Sequence, residues 1–121
     1  MSTRDEKERL ALIQGTLGLL ILRILLFGPQ HGQGIARAIQ TNSEEVLLVD
    51  HGALYPALQR MEAQDWISAA WGVSSNNRRA RFYTLTAKGR KHLIQETGRW
   101  RTMSNAIGRI LDLRQLENQE S

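Results

Sequence analysis

The chain has 121 residues, 41% of them apolar, and no cysteine, which argues for one domain with a thin core and excludes disulfides and thiolate metal sites. The net charge of +4 is unevenly spread: between Trp66 and Gln95 there is no Asp or Glu, while Arg78, Arg79, Arg81, Lys88, Arg90 and Lys91 all fall there. The charged opening "MSTRDEKERL" has no apolar signal segment, and the longest apolar run, Leu17 to Phe27, carries Arg23 and is too short to span a bilayer, so a soluble cytoplasmic protein with no membrane partner is expected.

In chain order, "GTLGLLILRILLFGP" places Leu17, Leu20, Ile21, Ile24 and Leu25 on one helical face, and Gly28-Pro29 stops the helix. "HGQGIARAIQTN" spaces Gly32, Ile35, Ala36 and Ile39 as a second, shorter helix ending at Asn42-Ser43. "EVLLVD" reads as a short strand. In "HGALYPALQRMEAQDW", Leu54, Leu58 and Met61 form an apolar stripe. Pro56 suits a first turn, which starts this helix near Gly52. The opposite face presents Gly52, Tyr55, Pro56, Gln59 and Arg60. "WISAAWG" and "ARFYTLT" read as two strands around the polar loop "VSSNN", with Trp66, Ile67, Trp71, Phe82, Tyr83 and Leu85 as bulk. Thr86 is a good N-cap for a last helix running from Lys88 to about Leu113. Along it Leu93, Trp100 and Ile107 repeat at seven residues, and Met103 and Ile110 form a second seam that Glu96 interrupts. The polar tail "QLENQES" is expected to fray.

This order predicts a mainly α chain with a small β-hairpin (α+β), a winged helix-turn-helix over 1–86. A dimerisation helix with a polar tail follows over 87–121, the whole forming one compact unit. In such an arrangement the helix from Gly52 to Gln64 enters a major groove and the hairpin flanks it. Arg78, Arg79 and Arg81 then supply the wing's charge, because a guanidinium offers phosphate a fixed fork of donors. Asn76 and Asn77 add hydrogen-bonding groups and the bend. Tyr55 is expected to touch phosphate or base, Gln59 to read adenine, and Arg60 to hold phosphate. The acid-free basic window is the footprint of a polyanion, so double-stranded DNA is the expected partner.

The segments "QGTLGLLIL", "GPQHGQGIA", "GALYPALQRME" and "NNRRARFYTLTAKGRKHL" occur in that order over roughly residues 13 to 112. Together they resemble the PadR family of bacterial transcriptional regulators, in its short form with a single C-terminal helix. The chain departs from the family pattern at Ala53, where a small hydroxyl residue is common, and at Gln33, where an aromatic is. The resemblance implies a homodimer paired through the C-terminal helix, with Leu93, Trp100, Met103, Ile107 and Ile110 as seam residues. It also implies repression, and a small flat hydrophobic effector stacking on Trp100. The full set of expected DNA-contact residues is Gly52, Ala53, Tyr55, Pro56, Gln59, Arg60, Asn76, Asn77, Arg78, Arg79 and Arg81.

His31, His51 and His92 lack metal-ligand spacing, so neither metal nor other cofactor is expected. "GQG" at residues 32 to 34 lacks the strand and third glycine of a nucleotide loop; helix packing is the expected role of Gly32. Ser68, Ser74 and Ser75 have no histidine and carboxylate at recognisable positions, so no catalysis is expected. The alternative to a DNA-binding regulator is a winged-helix interaction module whose wing grips an acidic protein.

Overall fold

Leu17, Ile21 and Leu25 recur at helical spacing. Leu17–Leu25 forms helix α1 in the computed structural model, which describes residues 16–120; the charged opening segment 1–15 and Ser121 lie outside the described residues. Gly28, at φ 138°, turns the chain out of α1 just ahead of Pro29. Gln30–His31 forms the two-residue strand β1, and α2 follows at once over Gly32–Asn42. Glu44 and Glu45, both at positive φ, end that helix. Helix α3 spans His51–Ala63, capped by Asp50, whose carboxylate accepts a hydrogen bond from the Gly52 amide at 3.2 Å.

Asp65, at φ 63°, reverses the chain into strand β2, Ile67–Val73, which pairs antiparallel with β3, Arg79–Leu85. The register runs from Ile67↔Leu85 to Val73↔Arg79, and β1 completes a sheet of order β1-β3-β2 through Gln30↔Tyr83 and His31↔Phe82. Helix α4, Ala87–Leu111, leaves the sheet from an N-cap at Thr86. The Thr86 hydroxyl accepts from the Gly89 amide at 2.9 Å and donates to the Asp65 carbonyl at 2.6 Å, so one side chain ties the helix start to the turn before β2. A last helix, α5, spans Leu113–Glu120.

The core lies where α1, α2, α3 and the sheet meet. Ile21 and Leu22 of α1, Ile35 of α2, Leu54 and Leu58 of α3 and Ile67 of β2 are its fully buried side chains. The expected stripe of Leu54, Leu58 and Met61 is buried, with Ala57 beside it.

Several expectations are corrected. Residues 46–50 form no strand: the segment joins neither open outer edge of the sheet and runs irregularly, resting Leu47 and Val49 on the core. Pro56 is the sixth residue of α3, in its second turn, so the Gly52 carbonyl receives no amide from it. Leu93 is buried in the core of the chain itself and does not lie on the exposed stripe of α4. Residues 113–120, most of which read as a polar tail, form a helix after α4. Asp112 adopts a left-handed conformation at φ 45° that breaks the helix for one residue, and its side chain and carbonyl then receive the Gln115 amide and start α5.

Candidate nucleic-acid interface

The outer face of α3 is built by default. Leu54, Ala57, Leu58 and Met61 turn inward, which leaves Gly52, Tyr55, Pro56, Gln59 and Arg60 exposed, as expected; Ala53 is half-buried. Tyr55 leans over the start of α2. A methyl group on Gly32 would come within 2.7 Å of its hydroxyl, so only glycine at 32 lets the ring lie there. His51 meets the edge of the same ring, with centroids 6.1 Å apart.

The hairpin sits beside this face. Its side chains alternate, so Ile67, Ala69, Trp71 and Val73 share one face with Leu85, Tyr83, Arg81 and Arg79 across the ladder. That face packs against α3 at its root, where Ile67 and Tyr83 are buried, and stands in solvent at its tip. Burial raises the Tyr83 phenol above its ordinary value of 10.0, and the Arg81 guanidinium only partly offsets this. At the tip, Asn77 takes positive φ at 60° and donates its amide to the Ser74 carbonyl at 2.9 Å, while Ser74 donates to the Arg78 carbonyl at 2.8 Å. Asn76 and Asn77 thus build the turn, with exposed side chains.

The three wing arginines are in three different situations. Arg81 makes a two-pronged ion pair with Glu62 of α3, Nη1 to Oε1 at 3.3 Å and Nη2 to Oε2 at 3.0 Å. It braces the wing against the helix, and its charge is neutralised there. Arg79 lies over the Trp71 ring, 4.7 Å from its centroid. Arg78 stands at the tip with no acidic partner among the described residues. Wing and helix enclose a cleft of about 410 Å³ lined by Tyr55, Trp71, Asn76, Arg78, Arg79 and Arg81, with Gly32 and Gln33 at its α2 end. Gln59 and Arg60 lie outside that lining, further along α3.

Two participants, Glu62 and Trp71, are absent from the sequence-based site. Glu62 has no local signal, being nineteen residues from its partner. Trp71 had one: its alternation puts it in phase with Arg79 and Arg81.

The histidines are occupied structurally. His31 Nδ1 lies 2.7 Å from Gln30 Oε1, His51 rests on Tyr55, and His92 stacks on Trp66 at 3.7 Å. Among the described residues no group of three or more His, Asp or Glu is placed to hold a metal ion, and no helix is long and apolar enough to cross a membrane. Along α4, Trp100, Met103, Ile107 and Ile110 are exposed, and Trp100 borders a cavity of about 420 Å³ with Leu22, Met61, Trp66 and His92.

A three-helix head with a charged hairpin beside its third helix defines a winged-helix nucleic-acid-binding protein. Residues 21–95 match the family model described as the transcriptional regulator PadR-like family. The chain therefore belongs to the PadR-like family and is a DNA-binding transcription regulator. It is similar to a transcriptional regulator from Clostridium thermocellum, with 25% identity and a TM-score of 0.74 over 82% of this chain and 96% of that one. It also resembles a PadR family transcription regulator from Clostridium difficile, with 28% identity and a TM-score of 0.68 over 79% of this chain and 98% of the other. A curated protein of Lysinibacillus sphaericus is 25% identical over 101 residues, 84% of this chain and 93% of its own length.

Proposed function

We propose that the chain is a repressor that binds an operator of dyad symmetry as a homodimer and is released by a small flat hydrophobic effector. The observation that carries the DNA half is the juxtaposition of an exposed α3 face with a cationic wing in a stretch free of acidic residues. In this reading Tyr55 and Gln59 reach the base edges, and Gly52, Ala53, Pro56 and Arg60 approach the backbone. Asn76, Asn77, Arg78 and Arg79 follow the flanking strand, and Arg81 acts through its brace.

Support for the pairing comes from α4. Beyond Leu93 it carries Trp100, Met103, Ile107 and Ile110, all exposed, an apolar stripe on a helix with little else to cover it. Two such helices side by side would set two reading heads about one DNA turn apart. A ligand seated near Trp100 that changes the angle between them would weaken operator binding by favouring one spacing over the other.

Footprinting the purified protein on the DNA upstream of its own gene is the test. A protected dyad, lost on adding a ligand that quenches indole emission in the parent but not in Trp100→Phe, is the expected outcome. Weak sequence-blind DNA binding together with tight binding of an acidic polypeptide would make the chain an interaction module instead.

A further inference from the structure

The wing face turned toward α3 stays apolar beyond the point where it leaves the core. Ile67 is buried and Ala69 half-buried, but the next residues in the same alternation, Trp71 and Val73, are 62% and 66% exposed. An indole left in solvent contributes little to the hairpin's own packing, and a large exposed aromatic beside a binding cleft marks a contact surface. Trp71 pairs across the ladder with Arg81, and Arg79 lies diagonally from it, its guanidinium carbon 4.7 Å from the ring centroid. Ring and guanidinium both line the cleft that Tyr55, Asn76 and Arg78 also line.

The neighbours say what suits this ring. A purely apolar partner would strand Arg78 and Arg79, and a lone anion would ignore the indole. A sugar–phosphate backbone answers both, with C–H groups of deoxyribose for the ring and phosphate oxygens for the guanidinium. Stacking also limits the rotamers that Arg79 must give up on binding. Resting on the DNA-binding reading above, we infer that Trp71 is a DNA-contact residue. Its indole packs on a deoxyribose of the strand running through the cleft and holds Arg79 flat toward the adjacent phosphate.

The test is fluorescence anisotropy with a mixed-sequence duplex of about 30 base pairs at roughly 50 mM salt, where backbone contacts dominate. Trp71→Thr removes the ring and keeps β-propensity, and Trp71→Phe keeps a ring. Trp71→Thr is expected to weaken binding about tenfold with a melting temperature unchanged within about 2 °C, and Trp71→Phe to recover most of the loss. Arg79→Ala lowers the salt slope by about one per wing, whereas Trp71→Thr leaves it nearly unchanged. The double variant loses less than the product of the two single losses, because the two side chains act together. Indole emission changes when duplex is added to the parent protein, and this change is largely absent in Trp71→Phe. Affinity of Trp71→Thr within about twofold of the parent, or an undiminished emission change in Trp71→Phe, overturns the role of Trp71 alone. A parent protein that binds polyglutamate but no duplex overturns the DNA reading itself.

Discussion

Gly32 and Gly89 both sit where a methyl group would collide, yet the outcomes of substitution differ. At Gly32 the obstacle is the exposed ring of Tyr55, which can swing away. Gly32→Ala is therefore expected to keep stability within about 1 kcal/mol, since alanine also favours helix, while DNA affinity falls to the level of Tyr55→Ala. At Gly89 the obstacle is the Trp66 carbonyl, fixed backbone between β2 and the turn before it. Gly89→Ala is expected to cost about 3 kcal/mol, a loss of more than roughly 10 °C in a thermal melt. Tyr83 supplies a pH signature. Its folded pKa lies above the ordinary 10.0 because burial penalises the phenolate. Its contribution is complete below that unfolded value and is lost as pH rises through the raised folded one. Tyr83→Phe should flatten the decline in stability above pH 10, and urea titrations at stepped pH would show it.

Among the elements, α4 depends most on one residue. Thr86 caps it and at the same time grips the Asp65 carbonyl. Thr86→Ala should cost about 1–2 kcal/mol, and Thr86→Ser should restore most of that, as read by thermal denaturation. Thr86 was legible as a cap because a hydroxyl ahead of a proline-free amphipathic run is a local signal. So were α1 to α3 and the hairpin, whose apolar periods match the buried faces. What local pattern does not carry is tertiary pairing. Gln30 and His31 become a strand only because β3 has an edge free for them. Residues 46–50 have strand-like composition but pair with no strand, and Leu47 and Val49 rest on the core instead. Leu93 fits the heptad phase of α4 but sits at the end that still touches α1, so it joins the core. The exposed face of α3 was recoverable for the opposite reason: once Leu54, Leu58 and Met61 point inward, helical geometry dictates which residues face outward.

At the scale of the whole molecule, the exposed stripe on α4 and the wing charges make separate predictions. Ile107→Glu with Ile110→Glu should shift sedimentation to that of a single chain while leaving the far-ultraviolet circular dichroism of the head intact. A dimer carries Arg78 and Arg79 twice, so replacing both with alanine should flatten log affinity against log salt by up to about 3.6, if all four meet phosphate. The Glu62–Arg81 pair ranks low as a source of stability, since both side chains are partly exposed. Its effect is on geometry: it ties the exposed part of the hairpin to α3 beyond the root that Ile67 and Tyr83 bury. A chimera that imported this hairpin into another regulator's head would need an acidic residue at the position of Glu62 as well. Without that counterpart the outer half of the transplanted arm would lose its fixed angle to the neighbouring helix, and any recognition that needs the two held together would weaken.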